Sequence, residues 1–267
     1  MSRYEDVILA LDTATRPGSV AVLRNGEVLA SAVGLASRTH GERLPGDIVR
    51  LLASHHLGVH DVTRFAVVVG PGSFTGLRVG IATIQGLALV QSTPVVCVST
   101  LAALGQTVAG ETPADIDVIG AWLDGQRQQV FTAAYTRSTS PAGAPPNDGE
   151  EGSPTITVPA GWHALTPHEV GAPADIARSW STTFTGRAVT FLGDGAVKYA
   201  AELRAAFGLR LLEVAVPTAL APLVGSLAAR ATPGQLVRAH GIQPLYVRRP
   251  DVELARARRS TVSGEST

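Results

Sequence analysis

FAVVVGPGSFTGLRVGIATIQGLALV, residues 65–90, is the stretch that decides the fold of this 267-residue chain. The β-branched run 66–69 predicts a buried strand, and the glycine-rich break 70–76 predicts a tight turn. The apolar segment that follows has helical spacing. Three glycines in seven residues indicate a backbone that needs positive φ or very close approach there. We therefore predict a strand, a tight turn and a long helix.

Small residues recur along the predicted helix in two sets. Gly76, Gly80 and Ala88 form one set, and Ala82 and Gly86 form the second. Small side chains allow another element to approach the helix closely. Two interpretations remain open: the helix packs tightly inside its own domain, or it docks onto another protein.

The glycine-rich break also suggests a phosphate site, because free amides at a helix N-terminus attract anions. No Lys-Ser or Lys-Thr pair follows the glycines, so the stretch is not a Walker A loop. The glycine spacing differs from the dinucleotide fingerprint, and Pro71 interrupts it. As a phosphate site, the stretch carries a weak signal.

Composition narrows the class of protein. The chain is 45% hydrophobic and 16% charged, which is typical of a folded domain or two lobes that share a core. Lys plus Arg and Asp plus Glu each number 22, and such a balance does not favour nucleic-acid binding by this chain alone. Its single cysteine, Cys97, cannot form an intramolecular disulfide. We expect no signal peptide, no membrane span and a cytoplasmic location.

The first part of the chain predicts a meander followed by helices and strands. The predicted elements are strands at 7–11, 19–23, 27–33 and 94–98, with helices at 37–56 and 102–109. Asp12 and Thr13 follow the first strand, where they could face a nucleotide phosphate or its metal. They could equally hydrogen-bond the backbone of their own turn. His56 and His60 lie four residues apart, but Gly58 interrupts the helix between them, so we predict no metal site.

The second part predicts another lobe. Its predicted elements are strands at 116–123, 128–136, 155–158, 189–192 and 243–247, and helices at 167–177, 196–207 and 218–231. We predict a first lobe at 1–104, a second lobe at 105–250 with a disordered insertion at 138–153, and a disordered tail at 251–267. Helix 218–231 is expected to pack back toward the first lobe. The arginine-rich end is expected to be solvated, with RNA contact as the alternative.

Four segments resemble the bacterial TsaB (YeaZ) family in content and order. They read LALDTAT at 9–15, GPGSFTGLRVG at 70–80, QGLA at 85–88 and VSTL at 98–101. The resemblance is dense over 7–104 and thinner afterwards. It implies an α/β protein with the actin-like ATPase fold of sugar kinases, Hsp70 and actin. Each of two lobes would then have a mixed β-sheet and flanking helices.

The same resemblance implies a function. A member of the family is a non-catalytic subunit of the complex that adds threonylcarbamoyl to the adenosine adjacent to the tRNA anticodon. It binds and activates TsaD, which carries the active site, and the ATPase TsaE joins the complex. The complex, rather than this subunit alone, binds tRNA. This subunit would need no cofactor of its own, and ATP would be used by the complex.

The family also implies that the first two helices of lobe one pair with the equivalent helices of TsaD. Carried over to this sequence, the predicted partner interface is Leu44, Ile48, Leu51, Leu77, Gly80, Ile81, Gln85, Ala88 and Leu89. In the absence of TsaD, the same surface could join two copies of this chain into a homodimer.

Some positions depart from the family pattern. Gln126 and Gln129 stand where relatives have Arg and Glu, so a charged contact there is in doubt. The segment 99–103 stands where the catalytic relative has its metal-binding His-x-x-x-His, and it offers no histidine.

An independent ATP-dependent phosphotransferase is the alternative. It would use Asp12 and Thr13 near phosphate and Mg²⁺. The turn Gly193-Asp194-Gly195 could make a weak nucleotide contact, but it is a poor substitute for the second acidic turn of such enzymes. A peptidase function has no motif to support it.

Overall fold

The computed structural model describes residues 5–35, 37–109, 116–137 and 154–247. The predicted insertion at 138–153 and the arginine-rich tail lie outside the described residues. Among the described residues, no helix combines the length and the apolar composition that crossing a bilayer requires.

The first lobe contains the strands and helices that the opening sequence predicted, with shifted ends. They are β1 (Val7–Asp12), β2 (Ser19–Arg24), β3 (Glu27–Val33), α1 (His40–Ala53), β4 (Arg64–Gly70), α2 (Phe74–Gln91), β5 (Val95–Ser99) and α3 (Thr100–Ala109). Helix α1 is shorter than predicted because Thr39 caps it: the Thr39 side chain accepts from the Glu42 amide, and the Glu42 carboxylate accepts from the Thr39 amide.

The rest of the chain forms the second lobe and returns to the first. The elements are β6 (Val118–Asp124), β7 (Val130–Arg137), β8 (Thr155–Ile156), β9 (Trp162–Ala164), β10 (Glu169–Gly171), α4 (Pro173–Thr183), β11 (Val189–Leu192), α5 (Asp194–Lys198), α6 (Ala200–Phe207), β12 (Leu211–Ala215), α7 (Ala221–Ala229) and β13 (Leu236–Val237).

The two sheets repeat one topology. The first has the order β13-β5-β4-β1-β2-β3 and the second has the order β10-β7-β6-β11-β12. In each, an antiparallel hairpin (β1–β2, β6–β7) joins two strands that run parallel to its first strand (β4 and β5, β11 and β12). Helices connect the parallel strands. This duplicated arrangement is the actin-like ATPase fold, as the resemblance implied.

The two lobes share a core because each sends a helix to the other. Helix α3 packs on β6 and β7 of the second sheet, and α7 packs on β1 and β2 of the first. One buried cluster joins residues of both lobes, such as Ile8, Leu101 and Ile119. The hydroxyl of Ser19 accepts from the amide of Ala221 at 3.0 Å. The predicted division after residue 104 falls inside α3.

Several predicted elements are wrong. The predicted helix 167–177 is strand β10 followed by α4, because a proline at position 173 starts a helix and disfavours helical backbone just before it. Helix 196–207 is two helices that break at Tyr199. No strand occupies 243–247; the Leu245 amide donates to the Val69 carbonyl at 2.7 Å.

Candidate functional site

A cleft of about 860 Å³ separates the lobes. On the first-lobe side it is lined by the turn after β1 and by the N-terminal ends of α1 and α2. On the other side it is lined by the β6–β7 turn and by Asp194. The cleft lies where the sequence suggested a nucleotide contact. The geometry of its polar residues therefore decides whether it can bind a nucleotide.

Asp12 is engaged by its own turn. The side chain is 1% exposed, and its carboxylate accepts from the amides of Ala14 at 2.8 Å and Thr15 at 3.3 Å, and from the Thr15 hydroxyl. Burial raises the pKa of Asp12 above its ordinary value, while these hydrogen bonds act in the opposite direction. Of the two interpretations of Asp12, the observed geometry matches the one in which its side chain hydrogen-bonds the backbone of its own turn.

Thr13 points away from the cleft toward α2. It is completely buried, and a Cβ added to Gly80 would lie 2.1 Å from Thr13 Oγ1. A Cβ on Gly76 would lie 2.1 Å from the Thr13 carbonyl oxygen. The turn after β1 and the first half of α2 are therefore in direct contact, and Thr13 is a packing residue.

The turn Gly193-Asp194-Gly195 leads from strand β11 into helix α5 and packs against the end of strand β6. Gly193 has φ +114°, and a Cβ there would lie 2.1 Å from the Trp122 carbonyl oxygen. A Cβ on Gly195 would lie 2.8 Å from the Leu123 carbonyl carbon. The Asp194 carboxylate accepts from the Asp124 amide at 2.8 Å. Asp194 lines the cleft, whereas the glycines serve close packing.

The turn between β6 and β7 has an unusual backbone. Gln126, Arg127 and Gln128 have φ of 57°, 53° and 59°, a left-handed conformation that costs non-glycine residues about 1–2 kcal/mol each. The Gln126 side chain donates to the Asp124 carboxylate at 3.1 Å, and Lys198 Nζ donates to the same carboxylate at 2.8 Å. The glutamine that replaces the family arginine thus bonds to Asp124.

Gln129 closes the same turn through its backbone. Its carbonyl accepts from the Gly125 amide at 2.9 Å, and its amide donates to the Gln126 carbonyl at 3.0 Å. These two bonds involve backbone atoms alone, so they do not depend on which side chain stands at position 129.

His40 stands in the cleft wall at the start of α1. Its Nδ1 faces the guanidinium of Arg43 at 2.8 Å, and Arg43 in turn contacts Asp47 at 2.8 Å and the Pro17 carbonyl. Burial, followed by the positive charge of Arg43, lowers the pKa of His40. Since Nδ1 accepts from Arg43, this histidine is held neutral as a structural group.

The predicted partner-binding residues divide into buried and accessible ones in this structure. Seven of the nine lie in the core of the first lobe: Leu44, Ile48, Leu51, Leu77, Gly80, Ile81 and Ala88. Their side chains face the sheet because they form the apolar stripes of α1 and α2. Gln85 is half-buried and donates to the Ala239 carbonyl at 3.2 Å. Leu89 is 72% exposed and is accessible to a partner.

The outward side of α2 is lined by a different set. Every fourth residue along the whole helix is exposed: Phe74, Arg78, Ala82, Gly86 and Val90. Val90 is 86% exposed, and a Cβ on Gly86 would meet nothing within 4 Å. The second small pair in the sequence, Ala82 and Gly86, is thus the outward one.

Helix α1 continues this surface. It exposes Gly41, Pro45, Val49 and Ala53, again every fourth residue. Both helices bury residues in the same cluster against the same face of the sheet, so their exposed sides are neighbours. We call these two exposed stripes together the α1–α2 face. Ridges of this i, i+4 spacing are the ones that interdigitate in the commonest class of helix packing.

Comparison with known proteins finds a family model and curated relatives that are named for tRNA threonylcarbamoyladenosine proteins. Residues 34–142 match the family model described as TsaD, tRNA N6-adenosine threonylcarbamoyltransferase. Over 130 residues the chain is 40% identical to the tRNA threonylcarbamoyladenosine biosynthesis protein TsaB of Haemophilus influenzae, covering 49% of this chain and 54% of that protein. The chain thus spans about half the length of the curated TsaB relatives it matches.

Two further matches extend over more of the chain. An uncharacterized protein of Mycobacterium bovis is 33% identical over 170 residues, covering 61% of this chain and 77% of that protein. The solved structure of YeaZ from Pseudomonas aeruginosa superimposes with a TM-score of 0.69 at 27% identity, covering 90% of this chain and 99% of that one.

Proposed function

This chain belongs to the TsaB (YeaZ) family, and we propose that it is the non-catalytic subunit of the complex that adds threonylcarbamoyl to the adenosine adjacent to the tRNA anticodon. In this role it binds TsaD and holds it in its active conformation. Docking that favours one conformer of TsaD would act by population shift.

The observation that carries this proposal is the α1–α2 face. It combines exposed apolar side chains, such as Val49, Phe74 and Val90, with the small centre of Ala82 and Gly86. A contiguous apolar surface of this kind is a common mark of a protein–protein interface. The small centre allows a partner helix to approach the backbone of α2. In the absence of TsaD, the same face can join two copies of this chain.

The residues that replace the metal-binding motif of the catalytic relative support a non-catalytic role. Ser99 is completely buried, and its hydroxyl accepts from the Leu101 amide at 3.2 Å at the start of α3. Ala103 is completely buried as well and offers no ligand atom. We infer that this subunit needs no cofactor and that TsaD and TsaE use the ATP, with tRNA bound through the complex in the cytoplasm.

The test mixes the purified chain with TsaD of the same organism and measures the dissociation constant by sedimentation velocity. Ala82→Trp places a large side chain at the small centre, and we expect it to weaken binding at least tenfold. Ala205→Trp is the matched control, because Ala205 is an exposed alanine on α6 of the other lobe. Failure of the unmodified chain to bind TsaD at micromolar concentration would refute the proposal, and so would equal binding by the two variants.

The alternative, an independent phosphotransferase, has less support. The carboxylate of Asp12 is already bonded to its own turn, and Thr13 is buried against α2. Calorimetry with ATP and Mg²⁺ on the isolated chain separates the two functions. Micromolar binding with turnover would favour the enzyme.

A further inference from the structure

Arg78 is the only charged residue in the 18 residues of α2, and it lies on the outward stripe. Its guanidinium carbon stands 4.0 Å from the centre of the Phe74 ring. The Tyr246 ring lies beside Phe74, with the ring centres 5.7 Å apart. Phe74 is 46% and Tyr246 43% exposed. The N-terminal end of α2 therefore presents two accessible aromatic rings and one cation.

Within the part of the chain that the structure describes, Arg78 has no carboxylate partner. The acidic residues of the neighbouring helix are engaged elsewhere. Glu42 accepts from the Thr39 amide at 2.8 Å and from the Thr39 hydroxyl at 2.7 Å. Asp47 pairs with Arg43 at 2.8 Å and with Arg50 at 2.5 Å. Among the described residues of this face, no carboxylate therefore balances the charge of Arg78.

A partner helix that covers Phe74, Ala82 and Gly86 must also cover Arg78, which lies between them on the same stripe. Removing a guanidinium from water is costly unless a carboxylate takes the place of the water. Arginine is well suited to such a contact, because its planar fork can bind both oxygens of a carboxylate.

We propose that Arg78 is the specificity-determining residue of the α1–α2 face, and that it pairs with an Asp or Glu side chain on the TsaD helix that covers this face. The inference rests on the proposed function and names the chemistry that the partner must supply. A second copy of this chain offers no uncommitted carboxylate on its α1–α2 face, because the exposed stripes of α1 and α2 carry none. Arg78 therefore favours TsaD over self-association.

The test is a series of variants in which the head group at position 78 changes while an unbranched stem remains. We expect the dissociation constant for TsaD to rise in the order Arg, Arg78→Lys, Arg78→Met, Arg78→Glu, with Arg78→Glu at least thirtyfold weaker than the unmodified chain. The unmodified pair should lose affinity as salt rises, and Arg78→Met should lose less of its affinity over the same range. Arg204→Glu is the control for Arg78→Glu, because it makes the same change in net charge at an exposed arginine on α6, away from the α1–α2 face.

Two results would overturn the inference while leaving the proposed function standing. One is a Kd for Arg78→Glu within threefold of the unmodified chain, when Ala82→Trp still weakens binding at least tenfold. The other is an equal loss for Arg78→Met and Arg78→Glu, which would mean that packing on Phe74 matters and charge does not. Absence of TsaD binding by the unmodified chain would instead refute the proposed function.

Discussion

Gly80 and Gly86 lie on opposite sides of α2, and the same substitution should change stability in opposite directions at the two positions. A Cβ on Gly80 would lie 2.1 Å from Thr13 Oγ1 and 3.2 Å from Thr13 Cβ, whereas a Cβ on Gly86 would meet nothing within 4 Å. We therefore expect Gly80→Ala to destabilise the protein and Gly86→Ala to stabilise it.

The magnitudes follow from packing and helix propensity. Replacing a glycine inside a helix by alanine contributes about 1 kcal/mol of stability where space allows, and Gly86→Ala should gain that amount. At Gly80 the same gain is opposed by overpacking, which costs about 1–3 kcal/mol in a well-packed core. Thr13 is completely buried and β-branched, so it has little room to move. The free energies of unfolding of the two variants should differ by about 2 kcal/mol.

Urea unfolding followed by circular dichroism measures both free energies, and calorimetry should show melting temperatures roughly 4 °C or more apart. Both variants should retain the helical signal of the unmodified chain. If Gly80→Ala were as stable as Gly86→Ala, the orientation of α2 on which the α1–α2 face depends would be wrong.

Two further predictions concern His168, which is partly buried, and Arg43, which is buried. Burial lowers the pKa of His168 from 6.5 to about 4, so its contribution to stability is complete above pH 6.5 and is lost as pH falls toward 4, by roughly 3 kcal/mol. The free energy of unfolding in urea should therefore differ less between pH 7 and pH 5 for His168→Gln than for the unmodified chain, and an equal difference in the two proteins would contradict this. Arg43→Met removes a buried guanidinium that contacts Asp47 and His40, and it should lower the free energy of unfolding by about 3 kcal/mol. This value is near the lower end for a broken buried ion pair, because Asp47 keeps its contact with Arg50. Calorimetry measures the change, and a loss under about 1 kcal/mol would show that the Arg43 contacts do not stabilise the fold.

Much of the first lobe could be predicted from local sequence. The strand 27–33 matches β3, and the strand–turn–helix order predicted at 65–90 is observed as β4 and α2, although α2 begins at Phe74, inside the predicted turn 70–76. These segments carry strong local signals, such as β-branched runs and glycine turns, that agree with their tertiary environment.

The second lobe was harder to predict because some of its strands are short. β9 and β10 have three residues each, and among the described strands both pair with β7 alone, so their stability comes from contacts that are distant in sequence. The start of α4 could have been found, because a proline at 173 is a helix-start signal within the predicted helix 167–177.

The partner-binding residues show what local sequence leaves open. Helical periodicity identifies an apolar stripe such as Leu44 and Ile48, but this stripe is the one that the protein buries for itself. Accessible candidates such as Val49 and Leu89 can be separated from it only when the sheet is in place. The choice between the two small sets on α2 likewise depends on Thr13, which is close in space and far in sequence.

The two interpretations of the small residues on α2 apply to different sides of the same helix. Gly76 and Gly80 let α2 lie directly against the turn after β1. This contact fixes the distance of α2 from that turn and the rotation of α2 about its own axis. Ala82 and Gly86 face outward, where the fold itself gains nothing from their small size and a larger residue would fit. A glycine that the fold does not require costs about 1 kcal/mol of helix stability, which is a reason to look for its role in what approaches from outside. Because the inner contact sets the position of the outer ridge, a change at Gly80 would disturb docking without lying in the interface.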